Sequence, residues 1–264
     1  MSRPERRARR TAYLDGGFVA HAHRGFSLDG RENSMAAFAA ARDLGYRYVE
    51  TDAHATSDGV AVALHDETLD RTTDGAGPVA ELPWSVVRRA RIGGVEPVPA
   101  FEEVLGTWPD LRVNVDVKSA AAAAPVSAAI ERTRAHDRVC VASFSRARRR
   151  ATLALLSRPV ATSAARSEVT GVVLGARSRL PALVRQAVRD VDVLQVPEQD
   201  GRVRVVDPRT IAAAHAAGVD VHVWTVNDVP SMHRLVDAGV DGLVTDRADL
   251  LRDVLRERGL WSPA

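Results

Sequence analysis

Eight short apolar runs alternate with Ala-, Leu- and Arg-rich stretches along nearly the whole 264-residue chain, and this alternation constrains the fold more than any other feature. Apolar runs that are followed by helical stretches predict parallel strands with crossover helices. Eight such units favour a TIM (β/α)₈ barrel, an α/β fold, over an open doubly wound sheet. The predicted strands span 18–22, 46–51, 111–115, 138–142, 159–163, 192–196, 219–224 and 241–245.

Helices are predicted in the periodic stretches between these strands. Gly45, Gly218 and Gly239 each stand directly before a strand, where a left-handed residue is expected to end the preceding helix. Ser34 is expected to cap the first helix. The predicted helices span 34–44, 126–136, 146–156, 180–188, 208–217, 230–238 and 248–258.

The segment 53–105 interrupts the alternation and predicts a small insertion after the second strand, of the kind that shapes the mouth of a barrel. We therefore expect a basic N-terminal tail over 1–15, the barrel over 16–258 and a C-terminal tail over 259–264. The tail arginines precede any periodic segment and predict a solvated segment rather than an anion-binding arm. They are Arg3, Arg6, Arg7, Arg9 and Arg10.

The amino-acid composition indicates a globular protein and gives little support for a nucleic-acid partner. With 45% hydrophobic and 27% charged residues the chain is typical of a globular protein, and a net charge of +2 does not favour nucleic acid as a partner. Cys140 is the only cysteine of the sequence, so no internal disulfide is expected, and it lies in an apolar run that predicts a buried strand. No signal peptide or membrane span is predicted, which makes the cytoplasm the expected location and leaves peripheral membrane contact and the oligomeric state open.

Polar side chains follow the second and third predicted strands, where a barrel places its active site. Glu50 and Asp52 are two positions apart, as are Asp116 and Lys118, so each pair points to one face of its strand. Three carboxylates would converge there, and a divalent cation relieves their repulsion, with all-oxygen ligands favouring Mg²⁺ or Ca²⁺. The alternative is an ion-pair network of these acids with Arg24 and Lys118.

Two histidines are candidates for proton transfer. His23 stands in His-Arg-Gly and His65 in His-Asp, and imidazole titrates near neutral pH. Arg24 offers a planar fork that matches phosphate, and Gly25 permits close approach of the backbone. Lys118 is the only lysine among 36 basic residues, and its compact charge suits a phosphate oxygen or a carboxylate.

Several short motifs occur together along residues 18–252. They are His23-Arg24-Gly25, Glu32-Asn33-Ser34, Glu50-Thr51-Asp52, His65-Asp66, Leu69 to Thr73 with Gly75 and Gly77, Pro99-Ala100-Phe101 with Leu105, Val223 to Asn227 and Val240 to Asp246. In combination these motifs resemble those of the glycerophosphodiester phosphodiesterase family.

The resemblance implies a TIM barrel that hydrolyses small glycerophosphodiesters to sn-glycerol 3-phosphate and an alcohol. It implies His23 and His65 as the acid/base pair, Arg24 and Lys118 as phosphate ligands, and one divalent cation, Mg²⁺ or Ca²⁺ with Mn²⁺ as an alternative. The implied metal ligands are Glu50, Asp52 and Asp116. Attack by a glycerol hydroxyl and direct attack by water both stay open.

The main departure from the family pattern is at Asp116, and Ser34 is a milder one where Thr is common. Asp116 stands where the family usually has Glu, and its side chain is one methylene shorter, so its reach to a metal differs. Phe144 and Trp224 follow or end predicted strands and could form a wall against the substrate or pack at the rim. His54 is the one further histidine that we expect near the site.

Two other functions remain as alternatives. A lysophospholipase D would need an apolar groove for an acyl chain, which Leu82-Pro83-Trp84 and Val86-Val87 could supply. A non-catalytic phosphate-binding barrel is the other alternative, although the histidines and two of the three expected metal ligands match the family pattern.

Overall fold

Eight parallel strands form the barrel in the computed structural model, which describes residues 12–263. Each predicted strand is confirmed, and the strands are numbered in chain order. They are β1 (Val19–His23), β2 (Tyr48–Ala55), β3 (Arg112–Val117), β4 (Val139–Ala142), β5 (Ala161–Thr162), β6 (Val193–Pro197), β7 (Asp220–Trp224) and β8 (Gly242–Thr245).

Neighbouring strands pair in the order β5-β4-β3-β2-β1-β8-β7-β6, which confirms the TIM barrel. The seam between β5 and β6 is closed by a parallel bridge that joins Ser163 to Val193. Hydrogen bonds from Ala164 N to Val193 O at 2.9 Å and from Asp192 N to Thr162 O at 3.0 Å flank this bridge. The barrel is therefore nearly closed, and this seam has the fewest paired residues.

Ten α-helices lie within the described residues, and seven of them overlap the predicted ones. Ser34 Oγ accepts from Ala37 N at the start of the first helix, as expected, and Gly45, Gly218 and Gly239 have positive φ. The helices are α1 (Met35–Asp43), α2 (Trp84–Val87), α3 (Phe101–Thr107), α4 (Ala123–Thr133), α5 (Arg146–Leu153), α6 (Arg166–Arg177), α7 (Pro181–Ala187), α8 (Pro208–Ala216), α9 (Val229–Asp237) and α10 (Ala248–Glu257).

Helix α6 was not predicted, and two glycines in its sequence explain why. Glycine lowers helix propensity in isolation, but Gly171 and Gly175 lie where α6 meets α7. A Cβ atom added at Gly171 would lie 2.9 Å from Ala187 Cβ, and one at Gly175 would lie 2.7 Å from Val184 Cγ2. The glycines therefore allow the two helices to pack closely.

The insertion after β2 builds a small core of its own. Ala61–Ala63 pairs antiparallel with the end of β2, and buried side chains such as Leu64, Leu69 and Ile92 pack together beyond it. Helix α3, which begins inside the stretch predicted as insertion, packs against α4 as one of the outer barrel helices. The insertion thus stands over the carboxyl end of β2.

The amino-terminal end of the barrel is closed by buried side chains. Tyr13 is fully buried, and its hydroxyl lies 2.9 Å from Nε2 of His21 inside the barrel. Tyr13 belongs to the predicted tail, so the packed structure extends into that segment. Trp261, in the predicted C-terminal tail, likewise packs edge-on against Tyr46 with 5.0 Å between ring centroids.

The predicted basic cluster lies outside the described residues. The arginines concerned are Arg3, Arg6, Arg7, Arg9 and Arg10. Over residues 12–263, no helix has the length and apolar character that a membrane span requires.

Candidate active site

One cavity of about 280 Å³ opens at the carboxyl ends of the strands. All nine side chains that the sequence predicts for the site line it, so the structure brings the whole predicted set together. They are His23, Arg24, Glu50, Asp52, His65, Asp116, Lys118, Phe144 and Trp224.

The carboxylates meet because β2 and β3 are adjacent and in register, with Asp52 beside Asp116. Lys118 Nζ lies between these two acids, 2.8 Å from Asp52 Oδ1 and 2.8 Å from Asp116 Oδ2. Arg24 Nε lies 3.1 Å from Asp52 Oδ2. The ion-pair network that the sequence left open is therefore present, with Asp52 at its centre.

Burial and neighbouring charges shift the pKa values of Glu50 and Asp52 in opposite directions. Burial and the neighbouring Asp52 charge raise the pKa of Glu50 to about 8. Burial also opposes ionisation of Asp52, but Lys118 and Arg24 outweigh it and hold its pKa below the usual value. Although burial disfavours the charged Lys118, the charges of Asp52 and Asp116 raise the pKa of this ammonium. The cations thus neutralise Asp52 more fully than Glu50.

Among the described residues that line the cavity, two buried carboxylate oxygens have no hydrogen-bond partner. They are Glu50 Oε2 and Asp116 Oδ1. Over residues 12–263 no three His, Cys, Asp or Glu side chains form a ready-made metal cluster. The two unpartnered oxygens nevertheless fit a hard cation, because such ions take carboxylate oxygens and a buried acceptor without a partner is unfavourable.

His23 is held by a carboxylate from the last strand of the barrel. Its Nδ1 lies 2.6 Å from Asp246 Oδ1, and its Nε2 lies 3.7 Å from Glu50 Oε2. Burial lowers the pKa of His23, but the hydrogen bond to Asp246 and the Glu50 charge outweigh it and raise the pKa overall. Asn227 Nδ2 donates to Asp246 Oδ2 at 2.7 Å and fixes that carboxylate.

His65 is oriented by the insertion. Its Nδ1 lies 2.6 Å from Asp66 Oδ1, and Arg71 binds Asp66 in turn. Arg71 Nη2 and Arg24 Nη1 both donate to Glu32 Oε1, at 2.8 and 2.9 Å. This chain of ion pairs links the insertion to the phosphate-binding candidate at the end of β1.

His54 lies close to the site, as expected, with its Nε2 3.1 Å from the carbonyl oxygen of His65.

The turn after β1 explains why the first motif contains a glycine. Gly25 has φ +82°, and a Cβ there would lie 2.6 Å from the backbone carbon of Ala37. The turn can therefore press against α1 only with glycine at this position.

Aromatic side chains form one wall of the mouth. Phe144 is 49% exposed, and its ring lies edge-on to Trp224 with 6.0 Å between centroids. None of the residues at 82–87 lines the cavity, so a groove for an acyl chain in that stretch would lie outside it. Val87 is instead fully buried in the core of the insertion, with Leu82 and Trp84 packed against it.

Three residues were not predicted for the site: two line the cavity, and one holds a residue that does. Asp246 ends the last of the sequence motifs, and only the structure shows that it holds His23 directly. Asn114 and Arg166 also line the cavity and were not singled out. Asn114 could have been found from its position two residues before Asp116, on the same face of β3.

Sequence comparisons with known proteins all point to one family of phosphodiesterases. A model of the glycerophosphoryl diester phosphodiesterase family matches residues 23–250. The probable glycerophosphodiester phosphodiesterase 2 of Mycobacterium tuberculosis is 47% identical over 254 residues, which are 94% of this chain and 95% of the relative. A glycerophosphodiester phosphodiesterase of Caldanaerobacter subterraneus is 29% identical over 90% of this chain and 98% of its own.

Comparisons of structure give the same result. A glycerophosphodiester phosphodiesterase of Agrobacterium tumefaciens has a TM-score of 0.74 at 25% identity and covers 90% of this chain and 99% of its own. An Oleispira antarctica phosphodiesterase, solved with the product sn-glycerol-3-phosphate, has a TM-score of 0.76 at 21% identity over 93% of this chain and 99% of its own, and shares the fold. The chain belongs to the glycerophosphoryl diester phosphodiesterase family and is a phosphoric diester hydrolase.

Proposed function

We propose that this enzyme hydrolyses glycerophosphodiesters to sn-glycerol 3-phosphate and an alcohol, with His23 and His65 as its acid/base pair. One observation carries the proposal. Both imidazoles line a single cavity with Nδ1 held by a carboxylate, at 2.6 Å from Asp246 and 2.6 Å from Asp66. Each ring is thereby oriented so that its Nε2 atom can exchange a proton with the substrate.

Proton transfer then follows from the positions of the two rings. One imidazole takes the proton from the attacking oxygen, which belongs to a substrate hydroxyl or to water. The other donates a proton to the oxygen of the leaving alcohol as its bond to phosphorus breaks. Arg24 and Lys118 donate hydrogen bonds to the phosphoryl oxygens and hold the phosphorus between the rings.

Glu50, Asp52 and Asp116 are the residues that would hold one divalent cation. The support is the pair of buried carboxylate oxygens without a hydrogen-bond partner, Glu50 Oε2 and Asp116 Oδ1. Mg²⁺ or Ca²⁺ suits an all-oxygen site, and Mn²⁺ is the third candidate. When bound, the cation supplies positive charge to the phosphoryl oxygens.

The acid/base assignment is tested by release of glycerol 3-phosphate from glycerophosphodiesters. His23→Ala and His65→Ala should each lower kcat by at least about a hundredfold, because each removes one proton-transfer group. His233→Ala, outside the cavity, serves as the matched control and should retain wild-type rates. Unchanged rates in either active-site variant, with the fold intact, would remove that histidine from the mechanism.

Metal dependence is tested separately by calorimetry and by chelation. EDTA should abolish turnover, and Mg²⁺, Ca²⁺ and Mn²⁺ are then compared for their ability to restore it. Glu50→Gln should weaken cation binding by at least about tenfold, because the neutral amide replaces an anionic ligand. The exposed Glu103→Gln should bind the cation as the wild type does. Equal cation affinity in both variants would contradict the assignment of Glu50.

A further inference from the structure

One quadrant of the cavity mouth is built where α5 and α6 begin. Arg166 is the first residue of α6, and its backbone N–H donates to the carbonyl oxygen of Phe144 at 3.3 Å. The guanidinium carbon of Arg166 lies 5.6 Å from the centroid of the Phe144 ring. Lys118 Nζ lies 5.8 Å from the same centroid, so two cations already contact this aromatic ring.

Arg166 differs from the other cations of the cavity in its partners. Arg24 and Lys118 are ion-paired with Asp52, whereas within residues 12–263 no carboxylate oxygen lies within 4.0 Å of the Arg166 side-chain nitrogens. Its side chain is exposed and lines the cavity. Its donors are therefore available to a ligand.

The surrounding charges make this quadrant positive. Arg148 donates to the carbonyl oxygens of Val117 and Lys118 beside the cavity. Glu168, one turn into α6, is buried and bound by Arg149 at 2.7 Å, so its charge is compensated. Asp200, on the short hairpin that follows β6, is the remaining exposed carboxylate that lines the cavity.

We propose that Arg166 is a specificity-determining residue that selects leaving alcohols bearing oxygen acceptors, namely a carboxylate or vicinal hydroxyls, over a quaternary ammonium. A guanidinium fork donates parallel hydrogen bonds to such oxygens. A trimethylammonium group has no hydrogen-bond acceptor, so the guanidinium donors cannot bind it. The Phe144 ring could bind such a cation, but it already contacts Lys118 and Arg166. This inference rests on the proposed function, because it concerns the alcohol that the reaction releases.

The test compares three substrates that differ only in the alcohol: glycerophosphoserine, glycerophosphoglycerol and glycerophosphocholine. For the wild-type enzyme, kcat/KM for the first two should exceed that for glycerophosphocholine by about tenfold, the effect of one charge-assisted hydrogen bond. Serine and glycerol as leaving groups distinguish a carboxylate from hydroxyls as the acceptor.

Arg166→Gln should remove most of this preference by lowering kcat/KM for the two oxygen-bearing substrates, with the value for glycerophosphocholine within about twofold of wild type. Arg185→Gln makes the same charge change on the exposed face of α7, outside the cavity, and should keep the wild-type preference.

The inference is overturned if the wild type prefers glycerophosphocholine, or if Arg166→Gln and Arg185→Gln give the same ratios. Failure of the proposed function has a different result, since no substrate of the panel would then release glycerol 3-phosphate.

Discussion

At the scale of the residue, the contact between His23 and Asp246 orients one member of the proposed acid/base pair. Ala22 of β1 pairs with Thr245 of β8, so the next residue of each strand stands at the same level of the barrel. The 2.6 Å contact orients the imidazole, and Asn227 holds the carboxylate from its other side. His23 is therefore a positioned group rather than a rotating one.

Asp246→Asn should lower kcat by about a hundredfold with little change in KM, because the amide cannot stabilise the imidazolium that forms during proton transfer. The measurement is steady-state hydrolysis of a glycerophosphodiester, accompanied by thermal unfolding to confirm the fold. Asp237→Asn, an exposed acid paired with Arg258, is the matched control and should behave as wild type. A kcat for Asp246→Asn within twofold of the control would contradict the orienting role.

The nine predicted cavity residues could be found from the sequence because strand ends and motifs mark them individually. The residues that hold these side chains in place could not be found in the same way. The pairing of His23 with Asp246 depends on which strands become neighbours when the barrel closes. The link from Arg24 through Glu32 to Arg71 depends on the conformation of the insertion, for which the sequence offers no periodic pattern.

At the scale of the element, the strands were predictable and α6 was not. Short apolar runs such as 139–142 are buried on both faces, so their composition alone identifies them. Helix α6 contains Gly171 and Gly175, and the benefit of these glycines arises only from contact with α7. Local propensity opposes the helix there, and tertiary packing overrides it.

Gly175→Ala should lower the free energy of unfolding by about 1 to 3 kcal/mol, despite the better helix propensity of alanine, because its Cβ would lie 2.7 Å from Val184 Cγ2 and 3.2 Å from Val184 N. Gly106→Ala in α3 is the matched control, since nothing lies within 4 Å of its added Cβ. It should raise stability by about 0.5 to 1 kcal/mol. Denaturant unfolding measures both, and equal signs would contradict this account of the α6–α7 contact.

At the scale of the whole molecule, the barrel interior makes stability depend on pH. His21 is fully buried, with Tyr13 Oη at 2.9 Å and the His222 ring centroid at 5.3 Å. Burial first, and then the charge of His222, hold the pKa of His21 well below its ordinary value. The folded protein keeps this ring neutral at pH values where the unfolded chain takes up a proton.

The contribution of His21 to the free energy of unfolding should consequently be most favourable above about pH 6.5, the ordinary histidine pKa, and should fall by up to about 1.4 kcal/mol for each pH unit below that value. His21→Gln should flatten this acid dependence, as followed by urea unfolding between pH 5 and 7.5. Tyr13→Phe keeps the buried imidazole and should retain the slope. An unchanged slope in His21→Gln would assign the acid sensitivity to other groups.

The 223-residue separation between His23 and Asp246 also matters for biosynthesis. The ribosome therefore makes His23 long before Asp246, and the imidazole of a growing chain lacks this orienting carboxylate until β8 docks beside β1. With His23 in the proposed role, turnover should begin only when the barrel is complete. The time at which hydrolytic activity appears during synthesis would therefore report when the final folding step takes place.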